Sequence, residues 1–118
     1  MGLWSKLFRS SEKTKKNPSK QEVEVYFAYG STNFQHVYAF EEQLLTAVSD
    51  TKVGEFSGHE LAADGSDGRL FLYGPDAEAI FRVISPVLTA SPLMRGATVT
   101  LRFNPSRWGS RKRVIQLP

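Results

Sequence analysis

The order in which two hydrophobic periods follow one another along the chain constrains its fold more than any other feature. From Glu22 to Tyr29, Val23, Val25 and Phe27 alternate with Glu24 and Tyr26, the period-two pattern of a half-buried strand. Gly30-Ser31-Thr32-Asn33 then reads as a turn, with Thr32 and Gln35 spaced as a capping box. Phe34, Val37, Tyr38, Leu44, Leu45 and Val48 recur at helical spacing, with Glu41 and Glu42 on the wet side. This predicts a first helix that ends near Asp50. Val53 to Leu61 is a weaker strand, interrupted by Gly54 and Gly58, where a bulge or a close backbone approach is expected. The polar connector Ala63 to Gly68 leads into a strand over Arg69 to Tyr73. Ile80, Phe81, Val83, Ile84, Val87 and Leu88 return to the helical period, with Pro86 inside the run and Ser91-Pro92 at its end. Ala97 to Phe103 is a last clear strand, with Val99, Leu101 and Phe103 on one side and Thr98, Thr100 and Arg102 on the other. Val114 to Leu117 has room for a short fifth.

The resulting order, β-α-β-β-α-β, is that of the split βαβ unit. It predicts an α+β, ferredoxin-like two-layer sandwich with antiparallel sheet order 4-1-3-2 and both helices on one face. The chain has 118 residues, enough for one hydrophobic core and too few for two. We divide it into a basic arm (1–20), the ferredoxin-like domain (21–103) and a basic C-terminal tail (104–118). Charge follows the same division. Residues 1–20 carry six bases and one acid, residues 102–118 five bases and no acid, and residues 21–101 four bases and eleven acids. In the expected topology the start of the first strand neighbours the end of the fourth, so both basic segments leave from one edge of an acidic body.

No cysteine is present, which excludes a disulfide framework, a thiolate metal site and a thiol nucleophile, and suits a reducing cytoplasm. No apolar run approaches the ~20 residues that span a bilayer. The N-terminus lacks the ~7–15 residue apolar segment of a secretory signal. Leu3, Trp4, Leu7 and Phe8 would share one face of a short helix beside Lys6 and Arg9, a pattern that could touch a membrane interface. Two helical turns are marginal alone, and a flexible, disordered arm, or one docking Trp4 and Phe8 on the body, is the favoured alternative.

Candidate chemistry is sparse, and no catalytic or metal residue is assigned. Glu55, Ser57 and His59 supply the residue types of a nucleophilic set, but side chains two apart on a strand stand about 6.5–7 Å apart and do not converge. Glu55, His59, Glu60, Asp64 and Asp67 are rich in ligand atoms yet lack the spacing of a calcium loop. Gly74-Pro75-Asp76, between strand and helix, is a poor phosphate grip. Pro75 has no N–H, and Asp76 and Glu78 already place anions at the helix N-terminus. We read it as strand-to-helix punctuation.

The sheet surface away from the helices is more informative. Leu70 and Leu72 should point at the helices, leaving Arg69, Phe71 and Tyr73 on the other surface together with Tyr26 and Arg102. Aromatics on central strands of such a sheet resemble the base-stacking platform of the RNA-recognition motif, although the Gly-Phe-Gly-Phe core of that signature is missing. Arg107, Trp108, Arg111, Lys112 and Arg113 interleave cations with an aromatic, as single-strand binders do. Burial of this half-apolar surface, by a second copy or by the chain's own tail, is the competing expectation.

The stretch from Val53 to Phe103 also resembles small bacterial proteins of an uncharacterised family. The likeness rests on "GEFSGHELAADG", "LYGPDAEAIF", "SPVL" and "GATVTLRF". It implies a ferredoxin-like fold and carries over no activity, cofactor or residue role. The expectation is therefore a non-enzymatic cytoplasmic binding or regulatory domain, of which immunity and inhibitor proteins are examples. It would act through Tyr26, Phe71, Tyr73 and Arg102 by self-association or protein contact, with no cofactor. The alternative is single-stranded nucleic-acid binding through the basic residues.

Overall fold

A computed structural model describes residues 20–103 and 111–118. Strand β1 (Gln21–Ala28) lies at the centre of a five-stranded antiparallel sheet. It pairs on one side with β3 (Asp67–Gly74) and on the other with β4 (Thr98–Arg102). β2 (Glu55–Leu61) lies outside β3, and β5 (Lys112–Gln116) lies outside β4, giving the order β2-β3-β1-β4-β5. The fifth strand begins two residues before the expected Val114. Because β5 runs back along β4, the chain ends at the far end of the sheet, where Gly96 N donates to the Pro118 carbonyl at 3.1 Å. The basic residues Arg102, Arg111 and Lys112 nevertheless lie at the end where β1 starts, as expected, because Arg102 stands across from both Glu22 and Lys112.

Period-two alternation fills one face of this sheet. Val23 lies opposite both Leu72 and Leu101, and Val25 opposite both Leu70 and Val99, so all six point the same way and are fully buried. Helix α1 (Gln35–Thr51) lays Val37, Phe40, Leu44 and Val48 on them, and α2 (Ala77–Ala90) lays Ala77, Ile80, Ile84 and Leu88. These form one cluster, so both helices pack on the same sheet face. The α1 stripe differs from the expected one. Phe40 joins the core, while Tyr38 and Leu45 flank it and remain 48% and 41% exposed. The 37/40/44/48 spacing forms a single row along a 3.6-residue helix, and positions 38 and 45 fall beside it. The Thr32/Gln35 capping box does not form. Phe34 occupies the N-cap position, and Asn33 Oδ1 accepts from Gln35 N at 3.1 Å.

The two glycines of the second strand do different work. A Cβ on Gly54 would meet the Tyr73 carbonyl oxygen at 2.4 Å, so two backbones touch there. Gly58, at φ +129°, sits at a bulge that shifts the β2–β3 register between Phe56 and Gly58. Helix α2 continues four residues past Pro86, and Ser91 then caps a short 3-10 turn, Pro92–Met94. Among the described residues no helix is long and apolar enough to cross a membrane.

Candidate functional site

The sheet surface opposite the helices is built by the residues that alternate with the core. β1 contributes Glu22, Glu24 and Tyr26, and β3 contributes Arg69, Phe71 and Tyr73, each placed by the antiparallel register. β4 adds Arg102 across from Glu22. The four residues assigned from sequence, Tyr26, Phe71, Tyr73 and Arg102, therefore share this surface. Their surroundings differ from those of an open stacking platform.

A chain of polar contacts runs across the surface. The Arg102 guanidinium donates to Glu22 Oε2 at 2.9 Å and to Glu24 Oε1 at 2.6 Å. Glu24 uses its other oxygen to accept from Arg69 Nε at 3.0 Å. The Arg69 guanidinium lies 4.9 Å from the Tyr26 ring centroid, and the Tyr26 hydroxyl donates to Asp67 Oδ2 at 2.7 Å. This last bond raises the Tyr26 phenol, because ionising it would discard the hydrogen bond and set two anions together. Burial of the Arg102 guanidinium works against its charge, yet Glu24 and Glu22 outweigh that cost and leave its pKa raised. Burial pushes the Tyr73 phenol up to about 12, with the Glu22 charge adding to the effect. Phe71 is only 9% exposed and Glu22 5%.

The accessible apolar part of the surface lies towards β5. Val114, opposite Thr100 on the same side of the sheet, is 54% exposed. The sequence offers the chain's own tail, including Val114, Ile115 and Leu117, as one of two covers for this surface. The pairing of β5 with β4 separates them, turning Ile115 and Leu117 to the helix side and Val114 to the other. The signal was the alternation in Lys112 to Leu117, too short to set its own register.

Of the basic patch, Arg111, Lys112 and Arg113 are described, and Arg107 and Trp108 lie outside the described residues, as do Leu3, Trp4, Leu7 and Phe8. Arg113 bonds to Glu78 of α2. Arg111 lies over the Phe103 ring at 5.9 Å, and Lys112 stands across from Arg102.

The remaining candidates resolve locally. Because of the bulge, Glu55 lies across from Tyr73 on the outer surface while His59 lies across from Leu70 on the helix side, so Glu55, Ser57 and His59 do not share a face. His59 Nδ1 instead meets Glu41 Oε2 at 2.6 Å, and its ring stacks on Tyr38 with centroids 5.9 Å apart. Glu41, expected on the wet side of α1, thus ties the helix to strand β2. In the β2–β3 connection Asp64 Oδ1 accepts from Ser66 N at 3.0 Å and Ser66 Oγ at 2.7 Å, which lowers the Asp64 pKa. Among the described residues no group of three or more His, Asp or Glu side chains is arranged to hold a metal ion.

At Gly74-Pro75-Asp76, Ala77 N donates to Gln21 Oε1 at 2.8 Å, and Glu78 N and Ala79 N donate to Asp76 Oδ1 at 3.0 and 3.3 Å. Ile80 N donates to the Asp76 carbonyl. Every N–H of the first turn is occupied, which leaves none to grip a phosphate. A cleft of about 480 Å³ between the start of α1 and the Pro92–Met94 turn is lined by Tyr29, His36, Phe40, Gln43 and Leu93. It is mostly apolar, with Tyr29 and His36 as the titratable side chains among its lining residues. Comparison with protein-family models, with curated proteins and with solved structures finds no match.

Proposed function

We propose that the chain is a non-enzymatic, cytoplasmic binding or regulatory domain of ferredoxin-like architecture. It works by protein contact, self-association first, through the sheet surface away from the helices. The observation that carries this reading is the compensation of charge on that surface. Both of its central arginines, Arg69 and Arg102, are engaged by Glu22 and Glu24. A phosphate backbone would have to displace those carboxylates, whereas a protein surface needs only apolar area with satisfied polar groups around it. Val114, exposed beside half-buried Thr100, supplies that area, and the Thr98 hydroxyl is satisfied by Gln116.

Light scattering over a range of protein concentration tests the reading. The expected result is a concentration-dependent mass above that of one chain, lost when Val114→Glu puts a charge into the accessible apolar patch. A single-chain mass at every concentration, or association unchanged in Val114→Glu, overturns it.

One observation favours a second reading. Lys20, Arg102, Arg111 and Lys112 gather at the end of the sheet where β1 starts and β4 ends. If this end binds single-stranded RNA together with Arg107, Trp108 and Arg113, binding should weaken steeply with salt and fall in the triple variant Arg111→Ala/Lys112→Ala/Arg113→Ala. No binding at low salt removes this reading.

A further inference from the structure

The outer edge of β5 has the geometry to pair with itself. Leu117 N donates to the Ala97 carbonyl and Phe103 N to that of Arg111, both at 2.9 Å. In an antiparallel ladder the bonded positions alternate, so Arg111, Arg113, Ile115 and Leu117 direct their backbone groups to β4. Lys112, Val114 and Gln116 therefore direct their N–H and C=O groups outward, and among the described residues β5 is the last strand of the sheet. The other edge, β2, is broken by its bulge and carries Glu55 and Glu60. β5 is regular, contains no proline and has the exposed Val114 at its midpoint. Such an edge is a template for strand addition.

We propose that two copies join edge to edge through antiparallel β5 strands centred on Val114, making one continuous ten-stranded sheet. The inference rests on the self-association reading above and names its geometry. Three features select this occupant and this register. Centring on Val114 places Lys112 opposite Gln116 of the second copy, so every outward backbone group of the strand meets an outward partner. Centring on Arg113 would set Gln116 opposite a position beyond the strand and place the two Arg113 residues face to face. Centring on Ile115 would likewise set Lys112 opposite a position beyond the strand, so each leaves an outward residue of β5 without a partner inside it. The charges also select the orientation. In the antiparallel pair Lys112 meets Gln116 and Arg113 meets Ile115, whereas a parallel pair would set Lys112 and Arg113 beside their own copies. The two Lys112 residues are then four positions apart along the seam, about 13 Å, which exceeds the ~8–10 Å screening length of physiological salt. Arg113 is meanwhile bonded to Glu78 of its own chain. On the sheet surface the two Val114 side chains meet at the twofold axis and cover each other.

Amide exchange and a charge swap test this together. In the wild-type protein, exchange at Lys112, Val114 and Gln116 should slow as protein concentration rises, while that at Arg113 and Ile115 stays constant. Gln116→Lys sets like charges opposite Lys112 of the partner and should weaken association by between about two-fold and about thirty-fold over its two symmetric pairs. Adding Lys112→Glu to Gln116→Lys should restore it. Residues 112 and 116 of one strand are too far apart to interact directly, so rescue reports pairing across the seam. Concentration-independent exchange at all five amides, or a double variant no tighter than Gln116→Lys, overturns the edge pairing. Continued loss of association in Val114→Glu would then leave the broader surface reading standing, and a wild-type monomer would end both.

Discussion

Glu24 accepts from two arginines, one on each neighbouring strand, and so joins β3 and β4 across β1 on the outer surface. Tyr73, close to this chain of charges, reports on it through its ionisation. Its phenol is pushed up to about 12 in the folded protein, by burial first and by Glu22 second, from an ordinary value of 10.0. A raised folded-state pKa means that the native state holds the proton more tightly than the unfolded chain. The associated stability is fully present below about pH 10 and is lost as pH rises through about 12. Denaturation midpoints measured across that window should fall more steeply in wild type than in Tyr73→Phe. Solvent reaches part of the ring and screens the effect, so the integrated difference should stay below about 2 kcal/mol. Parallel curves for the two proteins would show that Tyr73 ionises as freely in the folded state as in the unfolded chain.

At the scale of elements, the strand-to-helix joint and the bulge show two ways in which local residues set geometry. Asp76 caps α2 with its side chain, and Gln21 of β1 supplies the remaining acceptor, so the helix start is bonded both to its own cap and to the central strand. Asp76→Ala should cost about 1 kcal/mol in chemical denaturation, and Asp76→Asn only a fraction of that, because an Asn cap retains the acceptor. Equal losses in the two variants would assign the effect to the helix dipole rather than to the hydrogen bonds. The bulge acts over a longer range. By inserting one residue it turns His59 to the helix side, where Glu41 of α1 receives it, and it makes the β2 edge unsuitable for regular pairing.

For the whole molecule, the decisive property is where charge and accessible apolar area end up. The chain carries a formal net charge of +3, and two copies repel at low ionic strength. Association through β5 should therefore tighten as salt is added. Single-stranded RNA binding at the basic end would loosen steeply under the same titration. The two readings differ in the sign of one experiment. The same charge map supports the protein-contact reading over nucleic acid at the centre of the sheet. Its aromatic rings lie beside carboxylates already bonded to the available guanidinium groups.

Sequence alone determined the alternation of strands and helices, the helix-facing residues of β1, β3 and β4, and the role of Gly74-Pro75-Asp76, but not the burial of Glu22 and Phe71 on the other surface. Hydrophobic period and capping chemistry act within a few residues, so they can be read along the chain. The tertiary structure decided what depends on partners distant in sequence. Glu22 and Glu24 meet Arg102 across 80 and 78 positions, Glu41 meets His59 across 18, and the side to which Val114 points is set by the register of β5 on β4. A shift of one residue in any strand pairing sends every side chain to the opposite face, and no local pattern specifies that register in a five-residue strand.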